Sequence, residues 1–368
     1  MTVDDLKRTA RRGILVFDPI LSVILILILM FSVMTVYSAG VNFPGRIEAH
    51  LRNILVASLV CWAAANLPPN WIRGAAVPLY VLGILLLISV ALFGDVSKGA
   101  RRWLNLGVTR IQPSELLKIA TPLMLAWWFH RREGALKAKD FVVSAVLLLI
   151  PTLLIARQPD LGTAILVLAA GAYVIFFAGF PWKMLVALAV GIAAATPLLW
   201  MVMHDYQRQR VLTLIDPTSD PLGKGFHIIQ STIAVGSGGL WGKGWLQGTQ
   251  AHLEFIPEST TDFVFAVFAE EFGLAGNLTL LILYLALISR GLMIAASGAT
   301  LFMRLLAGSI TMIFFTYVFV NMGMVSGILP VVGVPLPWMS YGGTAMVTLG
   351  LGAGLLMSIH RNRKLVQT

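Results

Sequence analysis

Uncharged apolar runs of membrane-spanning length recur along this chain from Pro19 to His360, and they limit its fold more than any other feature. About 20 such residues in a helix cross roughly 30 Å of hydrocarbon. Of the 368 residues, 58% are hydrophobic and 12% charged. A soluble domain carries about 25% charged residues, so a water-facing surface of ordinary size cannot be built here. Mean hydropathy is +0.84, in keeping with this. The chain reads as an all-α polytopic integral membrane protein, one membrane domain over residues 1–368. That excludes a secreted enzyme, a nucleic-acid-binding domain and a disulfide scaffold. The single cysteine, Cys61, sits inside an apolar run and allows no internal disulfide.

Charged residues mark off the spans. Between Asp18 and Arg46 nothing is charged, and Pro19–Val36 reads as a first helix, retained as an anchor. Further spans are expected at Asn53–Ala65, Ala75–Phe93, Pro113–Phe129, Phe141–Ala156, Leu161–Ala178 and Met184–Met203. A polar stretch over 204–262 follows, then Phe263–Ser289, Leu305–Leu329 and Gly342–Ile359. Ten transmembrane helices place both termini on one side, with the 204–262 loop between helices seven and eight.

The positive-inside rule orients them. With tails 1–17 and 360–368 in the cytoplasm, basic clusters at the N-terminus, at 131–139 and at the C-terminus all fall inside. More than half of the 27 basic residues lie there, and the 204–262 loop falls outside. Against that bias, Arg101, Arg102 and Arg110 crowd one short outer loop, with Lys98 before them and Lys118 after. A solvated loop explains isolated arginines. Three within ten positions, with no acidic run nearby, point to anion binding. Most tryptophans fall near span ends and form an interfacial belt that implies no chemistry.

Only eleven uncharged residues separate Lys118 from His130, too few to span, so the fourth helix must start near Pro113 and include Glu115 and Lys118. Spacing i, i+3 puts these two on one face. They are either a self-paired couple at the membrane surface or part of a site, and an ionisable pair inside a span favours the site. Asp160 and Asp262 each precede an apolar run, where an aspartate often caps a helix. Convergence favours function, because Glu115, Lys118, Asp160, Asp262 and the arginines all come out at the outer level. Glu270 and Glu271 interrupt the eighth span. Either the helix starts near Phe272, or the segment from Asp262 dips inward and is lined by protein.

The glycine-rich stretch Gly236–Gly244 fails as a phosphate loop at Ser237 and at Gly244. Six histidines, at 50, 130, 204, 227, 252 and 360, show no metal-ligand spacing.

Several stretches resemble the SEDS family (shape, elongation, division and sporulation). They are Lys98–Leu104, Gln112–Lys118, Gln158–Thr163, Gly236–Gly244, Glu258–Phe263 and Pro337–Gly343. The compact length and short N-terminal tail look like its rod-shape (RodA) branch rather than its division (FtsW) branch. The resemblance implies a peptidoglycan glycosyltransferase of the bacterial cytoplasmic membrane, with its active site on the outer face. Its substrates would be lipid II and the growing glycan strand. Its partners would be a class B penicillin-binding protein transpeptidase and other elongation-complex proteins. It carries the catalytic carboxylate over to Asp262, and Glu115, Lys118 and Asp160 match positions around the family's active-site cavity.

Forming a β-1,4 bond from an α-linked pyrophosphate inverts the sugar carbon. One carboxylate must take a proton from the acceptor's 4-hydroxyl, and cations must hold the departing pyrophosphate. Asp262 is the candidate base, with Arg101, Arg102, Arg110 and Lys118 as anion binders. A divalent cation, Mg2+ or Mn2+, can share that work. Two other classes remain: a flippase of lipid-linked precursor, which needs a polar path that the nearly uncharged inner halves of the helices do not offer, and a scaffold for wall synthesis, which leaves the outer charges without a task.

Overall fold

The computed structural model describes residues 17–97, 100–105, 110–203, 208, 212–214, 216–217, 224–253, 255–256 and 258–363. Lys98, most of the two tails and much of the 204–223 stretch therefore lie outside the described residues. The chain is largely helical, and a helix carries each apolar segment picked out above, although the one expected to reach Leu329 ends at Val325. In chain order these are α1 (Pro19–Ala39), α2 (Arg46–Asn66), α3 (Pro69–Gly74), α4 (Ala76–Phe93), α5 (Pro113–His130), α6 (Ala138–Ala156), α7 (Leu161–Phe177) and α8 (Trp182–Val202). After them come α9 (Lys224–Ser237), α10 (Thr249–His252), α11 (Val264–Ala296), α12 (Leu301–Val325) and α13 (Gly343–Arg361). Among the described residues seven of these, α1, α2, α4, α6, α11, α12 and α13, are long and apolar enough by themselves to cross a membrane. The shorter apolar helices lie at Leu161–Phe177 and Trp182–Leu198. Helix α5 carries Glu115 and Lys118 and is buried along most of its length.

Small residues let two spans meet. On α13, a Cβ at Gly350 or Gly354 would stand 2.4 Å from the carbonyl oxygen of Ala57 or Cys61 on α2. Glycines four apart thus form the flat face that brings the two backbones together. Helix α12 is the central post, most of it buried, packing on α5, α7, α11 and α13. At one end of the bundle the Asp18 carboxylate caps α1 through Leu21 N at 2.7 Å and ties three helices. It accepts from Arg290 Nη2 of α11 at 2.5 Å and lies 3.2 Å from His360 Nε2 of α13.

Two findings differ from the sequence expectations, and a third decides between two alternatives that the sequence left open. The arginine-bearing loop is a small antiparallel sheet, β1 (Asp95–Ser97), β2 (Ala100–Asn105) and β3 (Arg110–Ile111), in that order. The second span starts at Arg46, seven residues before Asn53, because Arg46, Glu48, His50 and Arg52 are accommodated in the helix. The third finding settles the place of Glu270 and Glu271. Both lie inside α11, at 0% and 1% exposure, and the helix breaks only at Gly273, with φ 63° and ψ −161°. The half-helix before the break is lined by protein throughout.

Candidate active site

The protein solves the problem of two buried acids by bringing the glycine-rich stretch onto them. Lys243 Nζ reaches Glu270 Oε1 at 2.6 Å, and Thr249 Oγ1 and Gln250 N add bonds of 3.1 Å to the same oxygen. Glu271 accepts from Ser38 Oγ of α1. Backbone amides of Lys243 and Gly244 donate to the carbonyls of Glu270 and Glu271 at 3.0 Å each. Such contact needs bare backbone, since a Cβ at Gly238 would lie 2.1 Å from Ala269 O and one at Gly242 2.0 Å from Glu271 O. The stretch that fails as a phosphate loop is thus a brace for the half-helix that begins just after Asp262.

Asp262 stands in a tight turn ahead of α11. The N-cap position falls to Phe263, with no side-chain capping bond, so the helix-cap reading does not hold for Asp262. Its backbone is held from two sides. Asn321 Nδ2 of α12 donates to Asp262 O at 2.8 Å and to Val334 O at 2.7 Å. Ser340 Oγ donates to Thr261 O at 2.6 Å, and Tyr341 N donates to Thr260 O at 2.8 Å. The Pro337–Gly343 motif is therefore a clamp on the Glu258–Phe263 motif. Gly333, at φ +73°, comes so near that a Cβ there would lie 3.2 Å from Asp262 Oδ2. Asp262 lines a cavity of about 150 Å3 with Thr213, His227, Ile228, Glu258, Phe263 and Val331. His227 stacks on Phe263 at 5.7 Å between ring centroids. Burial pulls the His227 imidazole below its ordinary value of 6.5, against a smaller upward pull from the Glu258 carboxylate. Glu258 adopts φ +50°, a left-handed backbone uncommon outside glycine and often found at working sites.

A second group forms on α5 and α7. Lys118 Nζ binds Glu115 Oε1 at 2.6 Å and Tyr317 Oη of α12 at 2.6 Å, with 2% and 8% exposure at Lys118 and Glu115. The expected pair exists, and it is buried rather than snorkelling. Glu115 Oε2 has no partner. Asp160 is the N-cap of α7, accepting from Thr163 N at 3.2 Å, so here the capping reading is right. Its other oxygen accepts from Gln112 Nε2, just ahead of α5, at 2.9 Å. Arg102 Nη2 donates to the Pro159 carbonyl, leaving its buried Nε without a partner. For Arg101 and Arg110 the backbone is described: Arg101 pairs with Val96 and Arg110 with Asn105.

The two groups are joined through α12 and the 332–334 loop. That loop reaches from Asp262 to α7, where a Cβ at Gly162 would lie 2.7 Å from Val332 O. Thr316 Oγ1 meets Tyr173 Oη of α7 at 2.8 Å. Sequence reasoning missed Tyr317, Asn321, His227 and Glu258. For the first two a signal existed, since a tyrosine and an asparagine four apart inside an apolar span are polar groups that need partners.

Comparison with known proteins places the chain in a family. The family model for cell cycle proteins of the FtsW, RodA and SpoVE type matches residues 14–365. The peptidoglycan glycosyltransferase MrdB of Escherichia coli K12 is 52% identical over 350 residues, 95% of each chain. The peptidoglycan glycosyltransferase RodA of Treponema pallidum is 30% identical, covering 95% of this chain and 98% of its own. Among solved structures, a chain of a peptidoglycan synthase complex that coordinates polymerization and crosslinking superposes with TM-score 0.83 at 35% identity, over 95% of this chain and 99% of that one. The rod shape determining protein RodA of Thermus thermophilus superposes with TM-score 0.72 at 30% identity, over 94% and 97%. With the family model matched over nearly its whole length, this chain belongs to the FtsW, RodA and SpoVE family of multi-pass membrane proteins.

Proposed function

We propose that the chain is a peptidoglycan glycosyltransferase of the rod-shape type that polymerises lipid II. The observation that carries this reading is the setting of Asp262. It is a carboxylate on a doubly clamped backbone, in a cavity, joined through one central helix to a group holding Lys118 and Arg102. Polymerisation needs those two chemistries side by side. In the reaction Asp262 takes the proton from the 4-hydroxyl of the acceptor sugar as that oxygen attacks the anomeric carbon of the donor. The C–O bond to the α-linked pyrophosphate breaks on the opposite face, the new linkage is β-1,4, and undecaprenyl pyrophosphate leaves with the bonding electrons. General-base help of this kind is worth about 10²–10⁴-fold.

Cations around the site stabilise the leaving group. Arg101, Arg102, Arg110 and Lys118 take that part, while Glu115 and Asp160 fix Lys118 and the start of α7. Among the described residues no three His, Cys, Asp or Glu side chains converge as metal ligands.

The basic clusters near helix ends support cytoplasmic termini and an outward-facing site. A class B penicillin-binding protein transpeptidase is the partner this reading implies, since the solved relative is part of a complex that couples polymerization to crosslinking. The test is purified full-length chain, in detergent, with lipid II. Glycan ladders on a gel support the reading, and translocation of lipid II in vesicles without any polymer removes it.

A further inference from the structure

A larger cavity, of about 320 Å3, is lined in part by the Glu258–Thr260 segment. Its walls include Ser38, Asn42, Arg46, His252, Glu258 and Ser259, so Glu258 borders both this cavity and the one that holds Asp262. None of the residues considered above as phosphate binders lines it. Its one arginine is held in an unusual way. The Arg46 guanidinium lies 4.6 Å from the ring centre of Tyr341 and 5.2 Å from that of Phe43. Among the described residues no carboxylate comes within salt-bridge distance of it. Stacking on ring faces fixes the guanidinium plane and leaves its edge N–H groups unspent, and those edges match phosphate oxygens in a two-pronged way. Tyr341 belongs to the clamp on the Asp262 turn, so the same motif orients both the carboxylate and this cation.

Arg46 is the first residue of α2, a spanning helix, and so sits at the depth where helix meets headgroups. Flanking it, Val41 and Phe43 are exposed at 56% and 41%. Resting on the glycosyltransferase reading, one more requirement follows. Both reactants are lipid-linked and each carries a pyrophosphate at the membrane surface, so two phosphate sites are needed. We infer that the Arg46 cavity is the second of these, a subsite for the polyprenyl pyrophosphate group of the other lipid-linked substrate, with Glu258 as the partition between the two.

Native mass spectrometry of the full chain carrying Asp262→Asn, which removes the candidate base, counts bound lipid II directly. Two equivalents are expected. Adding Arg46→Ala should leave one, with the apparent Kd of the other weakened about tenfold or more, as loss of one charge-assisted hydrogen bond implies. Asn42 is exposed at the cavity wall, and Asn42→Trp should block the same equivalent without touching Arg46, which decides the matter if Arg46→Ala does not fold. Phosphatidylglycerol in hundredfold excess should not compete; if it displaces the second equivalent, the cavity is a general anionic-lipid site and the assignment falls. Two equivalents retained by both variants would also overturn it. The outcomes separate from those of the parent activity: a chain that polymerises lipid II yet binds it independently of Arg46 loses only this subsite. A chain that binds two equivalents through Arg46 but makes no polymer loses only the glycosyltransferase reading.

Discussion

Tyr317 and Asn321 lie one turn apart on α12, and each holds a different half of the site. Tyr317 Oη receives Lys118 Nζ at 2.6 Å, while Asn321 Nδ2 donates to the backbone carbonyl of Asp262 at 2.8 Å. A single buried helix face therefore fixes the spacing between a cation group and the candidate base. Positioning of this kind matters because small misplacements of a base cost large factors in rate.

Asn321→Ala should damage activity without touching substrate. It leaves the carbonyls of Asp262 and Val334 unpaired in a buried place, at a cost of about 1–3 kcal/mol for each. The expected result is a lowered thermal midpoint and a kcat that falls more than KM rises. Unchanged kcat in a well-folded variant would show that the clamp on Asp262 is not needed.

The Glu115 and Lys118 pair predicts an asymmetric double-mutant cycle. Glu115→Gln leaves Lys118 its bond to Tyr317, whereas Lys118→Met leaves a carboxylate alone in low dielectric. Breaking a buried pair from one side costs about 3–5 kcal/mol. Lys118→Met should thus be the more destabilising single change, and the double variant should regain part of the loss. Thermal unfolding in detergent reads this, and strictly additive effects would mean the pair is not coupled.

The brace around α11 predicts a contrast among three glycines. Gly242→Ala and Gly238→Ala each drive a Cβ to within 2.1 Å of a helix carbonyl, so both should abolish folded yield in membranes. Gly236→Ala, with nothing within 4 Å, should be tolerated. Equal yields for all three would contradict the packing described.

How much of this could be read from the sequence varies with the residue. Glu115 and Lys118 were legible, because their partnership is local and spacing alone sets it. Asp160 and Asp262 each precede an apolar run as a helix cap does, yet only Asp160 caps its helix, so the local pattern did not separate them. The start of α2 was not legible, since Arg46, Glu48, His50 and Arg52 read as a polar loop until Phe43 and Tyr341 are seen around Arg46. Glu270 and Glu271 looked like a break in a span because their partners, Lys243, Thr249 and Ser38, come from distant parts of the chain. Hydropathy reports what a segment needs, and only the fold reports what distant segments supply.

His227 gives a pH signature. Burial lowers its folded pKa beneath the ordinary 6.5, so the folded protein resists a proton that the unfolded chain accepts. Its contribution to stability is intact above about pH 6.5 and is lost as pH falls from there toward the lowered value. In His227→Gln that loss is absent. Thermal midpoints from pH 8 to pH 5 should therefore converge toward the variant on the acid side, and parallel curves would remove this role.

The central claim rests on the Asp262 carboxylate. Asp262→Asn keeps the side-chain shape and the backbone bond from Asn321, and takes away the ability to accept a proton. The decisive measurement is the initial rate of glycan polymer formation from lipid II by purified parent and Asp262→Asn, matched for folded protein by thermal midpoint. A fall of at least about 10²-fold with lipid II binding retained is the predicted result. A folded Asp262→Asn protein polymerising at the parent rate would contradict the assignment of Asp262 as the base.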